Sequence, residues 1–198
     1  MSTRTSRRLC VFCGSSKGAR EIYVHATQQL GQELAKRQIE LVYGGGNVGL
    51  MGVVADAVLK AGGHVIGVIP QQLMARELGH TGIQDLRIVK TMHERKALMA
   101  ELADGFIALP GGIGTYEEFF EVLAWAQLGI HGKPCALLNV DGFYTPVLRL
   151  LDHAVEENFI RTAHRQIVVV ESEPAPLLDA MTKHKAPHFH KWIDKDEV

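Results

Sequence analysis

Residues 105–121 read GFIALPGGIGTYEEFFE. The stretch opens on a short apolar run, passes through a glycine-rich turn and then takes up helical spacing. A buried strand that feeds through such a turn into a helix is the repeating half of an α/β sheet. The turn also has the makings of an anion site, because backbone N–H groups and the positive end of a helix dipole converge there. Yet Glu117, Glu118 and Glu121 follow within about one turn. Acids favour helix N-termini, so three first-turn carboxylates offsetting the dipole are the plainer reading of that end.

The same strand-to-helix pattern repeats along the chain. Apolar runs predict strands near 8–14, 39–43, 64–69, 86–90, 105–109, 134–140 and 166–170. Helical periodicity falls between them, near 19–37, 49–61, 92–103, 115–129, 143–157 and 174–183. Runs such as VIGVI, FIAL and ALLNV are apolar throughout and do not alternate, as strands covered on both faces should be. The expected fold is a single-domain, Rossmann-like, doubly wound parallel sheet over residues 1–198, with helices on both faces and a variable tail from about 185. Ligands of such sheets sit beyond the carboxyl ends of strands. Three glycine-rich loops fall there: CGSSKG after the first strand, YGGGNVGLMG after the second and PGGIGT after the fifth. The long connection QQLMARELGHTGIQD has little periodicity and is a candidate lid over that rim.

Composition bounds the function. The chain has 198 residues, 46% of them hydrophobic and 22% charged, enough for one substantial core. A net charge of −1 argues against a protein whose task is to neutralise a nucleic-acid backbone. The first apolar run is too short for a signal peptide or a membrane span, and three cysteines suit a reducing compartment, so a cytoplasmic protein is expected. Cys10 and Cys13 form a CxxC, but positions three apart on a strand point to opposite faces, so core packing is expected of both.

GGGNVG satisfies the letters of a dinucleotide fingerprint, but the next strand ends in Val-Ile-Gly-Val-Ile-Pro, with no acid for the ribose hydroxyls. A P-loop lysine is absent too, and HERKA misses the HExxH zinc motif because position 97 is alanine. What remains is glycine-lined capacity for one phosphate. Arg95 stands in helical line with Leu98, Met99 and Leu102, either snorkelling at a helix end or serving a ligand. Glu118 stands in line with Glu121, Val122 and Trp125 on a largely apolar helix, where a carboxylate needs a cation or a ligand. With a phosphate on the Gly112–Thr115 amides, Glu118 would lie roughly 4.5 Å further along the helix axis. It would then face what the phosphate is attached to. A sugar phosphate fits, with the carboxylate beside the anomeric carbon, where it can stabilise an oxocarbenium-like transition state or activate water.

At these residues the sequence strongly resembles the Lonely Guy (LOG) family of phosphoribohydrolases, which release cytokinin bases from riboside 5′-monophosphates. The PGGxGTxxE signature is matched by Pro110, Gly111, Gly112, Gly114, Thr115 and Glu118, and GGGxxGLMG from Gly44 to Gly52. CVFCGSS, the pair Arg95 and Lys96, WAQLGIHGKP and NVDGFY extend the likeness to about residue 160. The resemblance implies Arg95 and Glu118 as the catalytic pair. It implies a substrate site that takes in Ser15, Gly45, Gly46, Asn47, Glu77, Met92, Lys96, Gly111, Gly112, Ile113, Gly114, Thr115, Tyr116, Glu117 and Glu121. Such sequences often carry a lysine decarboxylase label, which implies pyridoxal phosphate, but no lysine here has a convincing environment for it. No metal or organic cofactor is expected.

The expected activity is therefore hydrolysis of the N-glycosidic bond of a purine nucleoside 5′-monophosphate, plain AMP or an N6-substituted cytokinin type. Arg95 is expected to hold ribose or phosphate oxygens and to lower the pKa of Glu118. A non-enzymatic nucleotide or cofactor carrier on the same fold would need the glycines but not Glu118. Nucleic-acid and membrane partners are not expected. A homodimer is, because Phe119, Phe120, Val122, Leu123 and Trp125 are spread around the 115–129 helix, which is too apolar for burial on one side only. The histidines of HKAPHFHK, 184–191, are expected in a surface or mobile tail, with metal binding the less favoured reading.

Overall fold

The computed structural model describes residues 7–74 and 79–184. Seven strands, β1 (Arg8–Phe12), β2 (Glu40–Tyr43), β3 (Val65–Pro70), β4 (Asp85–Val89), β5 (Phe106–Ala108), β6 (Cys135–Leu138) and β7 (Val168–Glu171), form one parallel sheet in the order 4-3-2-1-5-6-7. The interior strands β3, β5 and β6 are buried at every residue. The edge strand β4 is not, and its Ile88 is 56% exposed.

The helices are α1 (Glu21–Lys36), α2 (Gly49–Lys60), α3 (Gln71–Met74), α4 (Met92–Leu102), α5 (Ile113–Gln127), α6 (Thr145–Glu156), α7 (Thr162–Arg165) and α8 (Pro174–Lys183). Two apolar cores result, one on each sheet face. Leu30 and Leu34 of α1, Leu50 and Val54 of α2 and Leu177 of α8 pack on one; Met99 of α4, Phe119 and Val122 of α5 and Leu151 of α6 pack on the other. Cys13 belongs to the first core and Cys10 to the second, and both thiols are free, as the strand alternation requires. The short helices α3 and α7 and a 3₁₀ turn at Val140–Gly142 were not expected from the sequence.

β1 is bonded to β2 on one side and β5 on the other. The chain steps outward from β1 to β4 and then returns past it to β5, which makes β1 and β5 the point where the winding reverses. Ligands of doubly wound sheets lie at such reversals. The three glycine-rich loops leave β1, β2 and β5, so the topology sets them side by side there.

Candidate active site

The three loops are bonded to one another. The Gly14 N–H donates to the Pro110 carbonyl at 3.1 Å, and the Gly14 carbonyl accepts the Leu50 N–H at 3.0 Å. Gly49, at φ +57°, lies on the first loop, and a Cβ there would fall 2.2 Å from the Ser15 carbonyl carbon. Gly111 rests on the buried Thr115, whose Oγ1 would be 2.1 Å from an added Cβ. The chain's own packing requires these two glycines. Gly112 and Gly114 differ, since a Cβ at either would meet nothing within 4 Å and neither has positive φ. Nothing among the described residues demands glycine there, and the bare Cα at each leaves the backbone open to a ligand.

Gly112 is the N-cap of α5, no side chain caps this end, and the first turn holds no acid. The first N–H returned to the helix is that of Tyr116, which donates to Gly112 at 3.1 Å. The N–H groups ahead of it have no partner within the helix, as at any N-terminus. The expected start at residue 115 was thus two residues late. Glu117 and Glu118 belong to the second turn, so they neither offset the end of the dipole nor compete for its amides. The apparent conflict between glycines and carboxylates comes down to a difference in height along one helix.

α4 supplies the cations. Thr91 caps it, Oγ1 accepting the Glu94 N–H at 3.1 Å while the Glu94 carboxylate accepts the Lys90 N–H at 2.8 Å. This cap fixes the turn from which Arg95 and Lys96 project. Arg95 is only 9% exposed. Its Nη2 lies 3.4 Å from Glu118 Oε1, its Nη1 lies 3.2 Å from Met92 Sδ, and its buried Nε has no hydrogen-bond partner among the described residues. A desolvated N–H without an acceptor costs on the order of 1–3 kcal/mol, so Arg95 is arranged for an acceptor that a ligand would bring. Snorkelling is therefore not its role.

Burial pushes the Glu118 carboxyl above the ordinary carboxylate range; Arg95 pulls it down and Glu117 pushes it further up. Arg95 acts on Glu118 in the expected direction, but burial outweighs it, so the net shift is upward. Such a poised carboxyl suits proton transfer. Lys96 is engaged with Glu117 and, at 3.0 Å, with Glu121. Burial lowers its pKa, but the bonds to Glu117 and Glu121 outweigh that and raise it. Both of its partners are on α5, so Lys96 ties α4 to α5 on either side of Glu118.

Ser15 is exposed and lines a cavity of about 280 Å³ on this rim, together with Lys17, Tyr23, Leu50, Gly112 and Phe143. Gly45 and Gly46 are buried, Asn47 is exposed, and Met92 is 46% exposed beside Arg95. Ile113 is 81% exposed at the open helix end. Tyr116 packs edge-on against Tyr144, whose hydroxyl donates to the Leu109 carbonyl at 2.6 Å and so props the PGG turn from below. Glu77 lies outside the described residues, as does HKAPHFHK apart from His184. Of the candidate lid, the described part packs on the second loop: Gly79 bridges Gly46, and the His80 N–H donates to Gly45 at 2.8 Å. A larger groove of about 720 Å³, between α1 and the start of α8, is lined by none of the residues singled out above.

The sequence reading missed the buried His80, whose Nδ1 accepts the Gly82 N–H, leaving Nε2 to donate to Asp56 at 3.2 Å. It also missed the aromatic wall of the cavity. No periodicity signals either, because both join segments distant in sequence. Among the described residues no cluster of side chains suited to a metal ion occurs, and no helix is long and apolar enough to cross a membrane.

The family model described as a possible lysine decarboxylase matches residues 51–181. A probable cytokinin riboside 5′-monophosphate phosphoribohydrolase of Oryza sativa subsp. japonica is 55% identical over 96% of this chain and 77% of its own. Two such enzymes of Arabidopsis thaliana are 52% identical over 92% of this chain and 85% of their own, and 51% over 97% and 89%. Among solved structures, the molybdenum cofactor binding protein of Rippkaea orientalis superposes with a TM-score of 0.68 at 24% identity, over 91% of this chain and 98% of its own. The molybdenum cofactor carrier protein of Chlamydomonas reinhardtii does so with a TM-score of 0.67 at 19% identity, over 90% and 97%. At those identities the likeness is one of fold.

Proposed function

This chain belongs to the family that contains the cytokinin riboside 5′-monophosphate phosphoribohydrolases, and we propose that it hydrolyses the N-glycosidic bond of purine nucleoside 5′-monophosphates, releasing the free base and ribose 5-phosphate. The observation that carries the reading is the uncapped, glycine-open start of α5 with Glu118 one turn deeper and paired with Arg95. The amides ahead of Tyr116 take the phosphate. Arg95, whose Nε has no partner among the described residues, takes a ribose or phosphate oxygen. Glu118 faces the anomeric carbon, where its negative charge stabilises the positive charge that develops as the bond to the base breaks. Water adds to that carbon, one of its protons goes through Glu118 or solvent, and the base leaves protonated. Incubation with AMP and with an isopentenylated AMP, followed by chromatography, tests this by the appearance of free base. A carrier would return both nucleotides intact.

The same reading makes Arg95 a ligand-holding residue. Arg95→Ala should lower kcat/KM for AMP by about 10²- to 10³-fold, with KM and kcat both affected. Unchanged constants would remove Arg95 from the mechanism.

We place the enzyme in the cytoplasm as a homodimer. All three thiols are free and buried, which suits a reducing compartment. On α5, Phe120 and Trp125 are only partly covered and Ala124 is exposed, with Ile130 65% exposed just beyond, so the apolar helix has a face left over for a second copy. Light scattering in dilute solution should give about twice the 21.8 kDa chain mass. A chain-sized particle would show that this face needs no partner.

A further inference from the structure

Gly44 directly follows β2, ahead of Gly45 and Gly46 of the second loop, and it is buried. Its backbone does not require glycine, since its φ is not positive, unlike that of Gly45 at +73°. Its surroundings do. A Cβ on Gly44 would fall 1.9 Å from Arg95 Nη2, 3.0 Å from Cζ and 3.5 Å from Nε, so the tip of the guanidinium points at the bare Cα. Nη2 is also the atom 3.4 Å from Glu118 Oε1. Contacts of this kind settle near ~3.5 Å, so a single methyl group would drive Nη2 away by roughly 1.5 Å. The arginine can yield, being the far end of a flexible side chain, and the atom that yields is the one facing Glu118.

We propose that Gly44 is a positioning residue for the reaction: its missing side chain leaves the space into which Arg95 Nη2 reaches beside Glu118. This explains a glycine that neither its backbone angles nor a phosphate contact explains, and it rests on the reading of Arg95 and Glu118 given above. It also predicts that a methyl at position 44 acts only through Arg95. Among the described residues, the charged and titratable groups around Glu118 are Arg95 and Lys96 from α4, Glu117 and Glu121 from α5, and the buried thiols of Cys10 in β1 and Cys13 just after it. Of these, only Arg95 is in the path of the methyl.

The test is a double-mutant cycle on Gly44→Ala and Arg95→Ala, with two readouts. The first is the titration of the Glu118 side-chain carboxyl by carbon NMR, which needs no substrate. Arg95 lowers the pKa of Glu118, so each single variant should raise it by a similar amount, and the double variant no further than Arg95→Ala alone. The second is kcat/KM for AMP, where Gly44→Ala should lose about 10²-fold or more and the double variant no more than Arg95→Ala. A wild-type titration in Gly44→Ala, or effects that add in the double variant, would overturn the proposal. If Gly44→Ala folds poorly, removing the arginine should restore the fold; a double variant that also fails to fold assigns Gly44 a backbone role instead and overturns it too. Should the titrations behave as expected while Arg95→Ala keeps full activity, Gly44 still places Arg95, and the functional reading of the pair is what fails.

Discussion

Glu118→Gln should lower kcat for AMP by about three orders of magnitude while leaving nucleotide affinity close to that of the native protein. The amide keeps the shape of the carboxyl and leaves its oxygen facing Arg95 Nη2, so the bound state loses little. It cannot carry the negative charge that the breaking glycosidic bond calls for, nor take a proton from water, and a loss confined to the transition state appears in kcat. The pH dependence follows from the same group. Burial holds Glu118 above its ordinary pKa of 4.5, with Arg95 acting against it, so the acid limb of kcat/KM should have its midpoint above that value. A carboxyl whose folded pKa is raised binds its proton more tightly in the native state. Its ionisation then costs stability as pH rises through the interval between unfolded and folded pKa values. Glu118→Gln removes that cost, so it should melt higher than the native protein at neutral pH, with the advantage fading below pH ~4.5. Turnover near the native rate, with good folding, would take Glu118 out of the reaction; an acid limb centred below 4.5 would reverse the balance between burial and Arg95.

The sequence showed the sheet because strands buried on both faces leave unbroken apolar runs, and VIGVIP, FIA and CALL need no tertiary information to be recognised. It showed the Arg95–Glu118 pair less directly. Each stood out as a charge on an apolar helical stripe, but their meeting depends on α4 and α5 sharing one sheet face. The sign of the Glu118 shift was out of reach for the same reason, since a pattern names the neighbouring cation without saying how much water the fold removes. The start of α5 was placed late because glycine is a poor helix former and Gly114 lies in the first turn. The glycines themselves divide only in three dimensions. Gly49 and Gly111 are held by contacts with Ser15 and Thr115, Gly44 by Arg95, and Gly112 and Gly114 by nothing among the described residues. Letters alone made all five look alike. The turn at Asp141 and Gly142, both at positive φ, went unread although Asp-Gly is a turn signal, because it falls between a strand run and a helical run that were read as nearly continuous.

Removal of the 5′-phosphate should cost turnover as well as affinity. The α5 amides are far from the bond being cut, and binding energy from a remote group can orient and strain the reacting centre. Adenosine, with the same scissile bond, should therefore fall on the order of 10²- to 10³-fold below AMP in kcat/KM, with kcat sharing the loss. ATP should also do poorly, because the rim offers no metal cluster among the described residues to manage the added charge. Gly112 allows the cradle to be tested from the protein side. In Gly112→Asp the new carboxylate meets open space, caps α5 and sits at the positive end of its dipole, so the helix should gain a few tenths to about 1 kcal/mol. The same carboxylate takes the place and the sign of the phosphate. The variant should melt at or above the native temperature, lose AMP hydrolysis almost entirely and retain much of whatever weak activity adenosine shows, narrowing the gap between the two substrates. If adenosine is cleaved about as well as AMP by the native protein, or if Gly112→Asp weakens both substrates equally, the open end of α5 does not hold the phosphate. Gly112 and Gly114 would then need another explanation, since the described residues supply none.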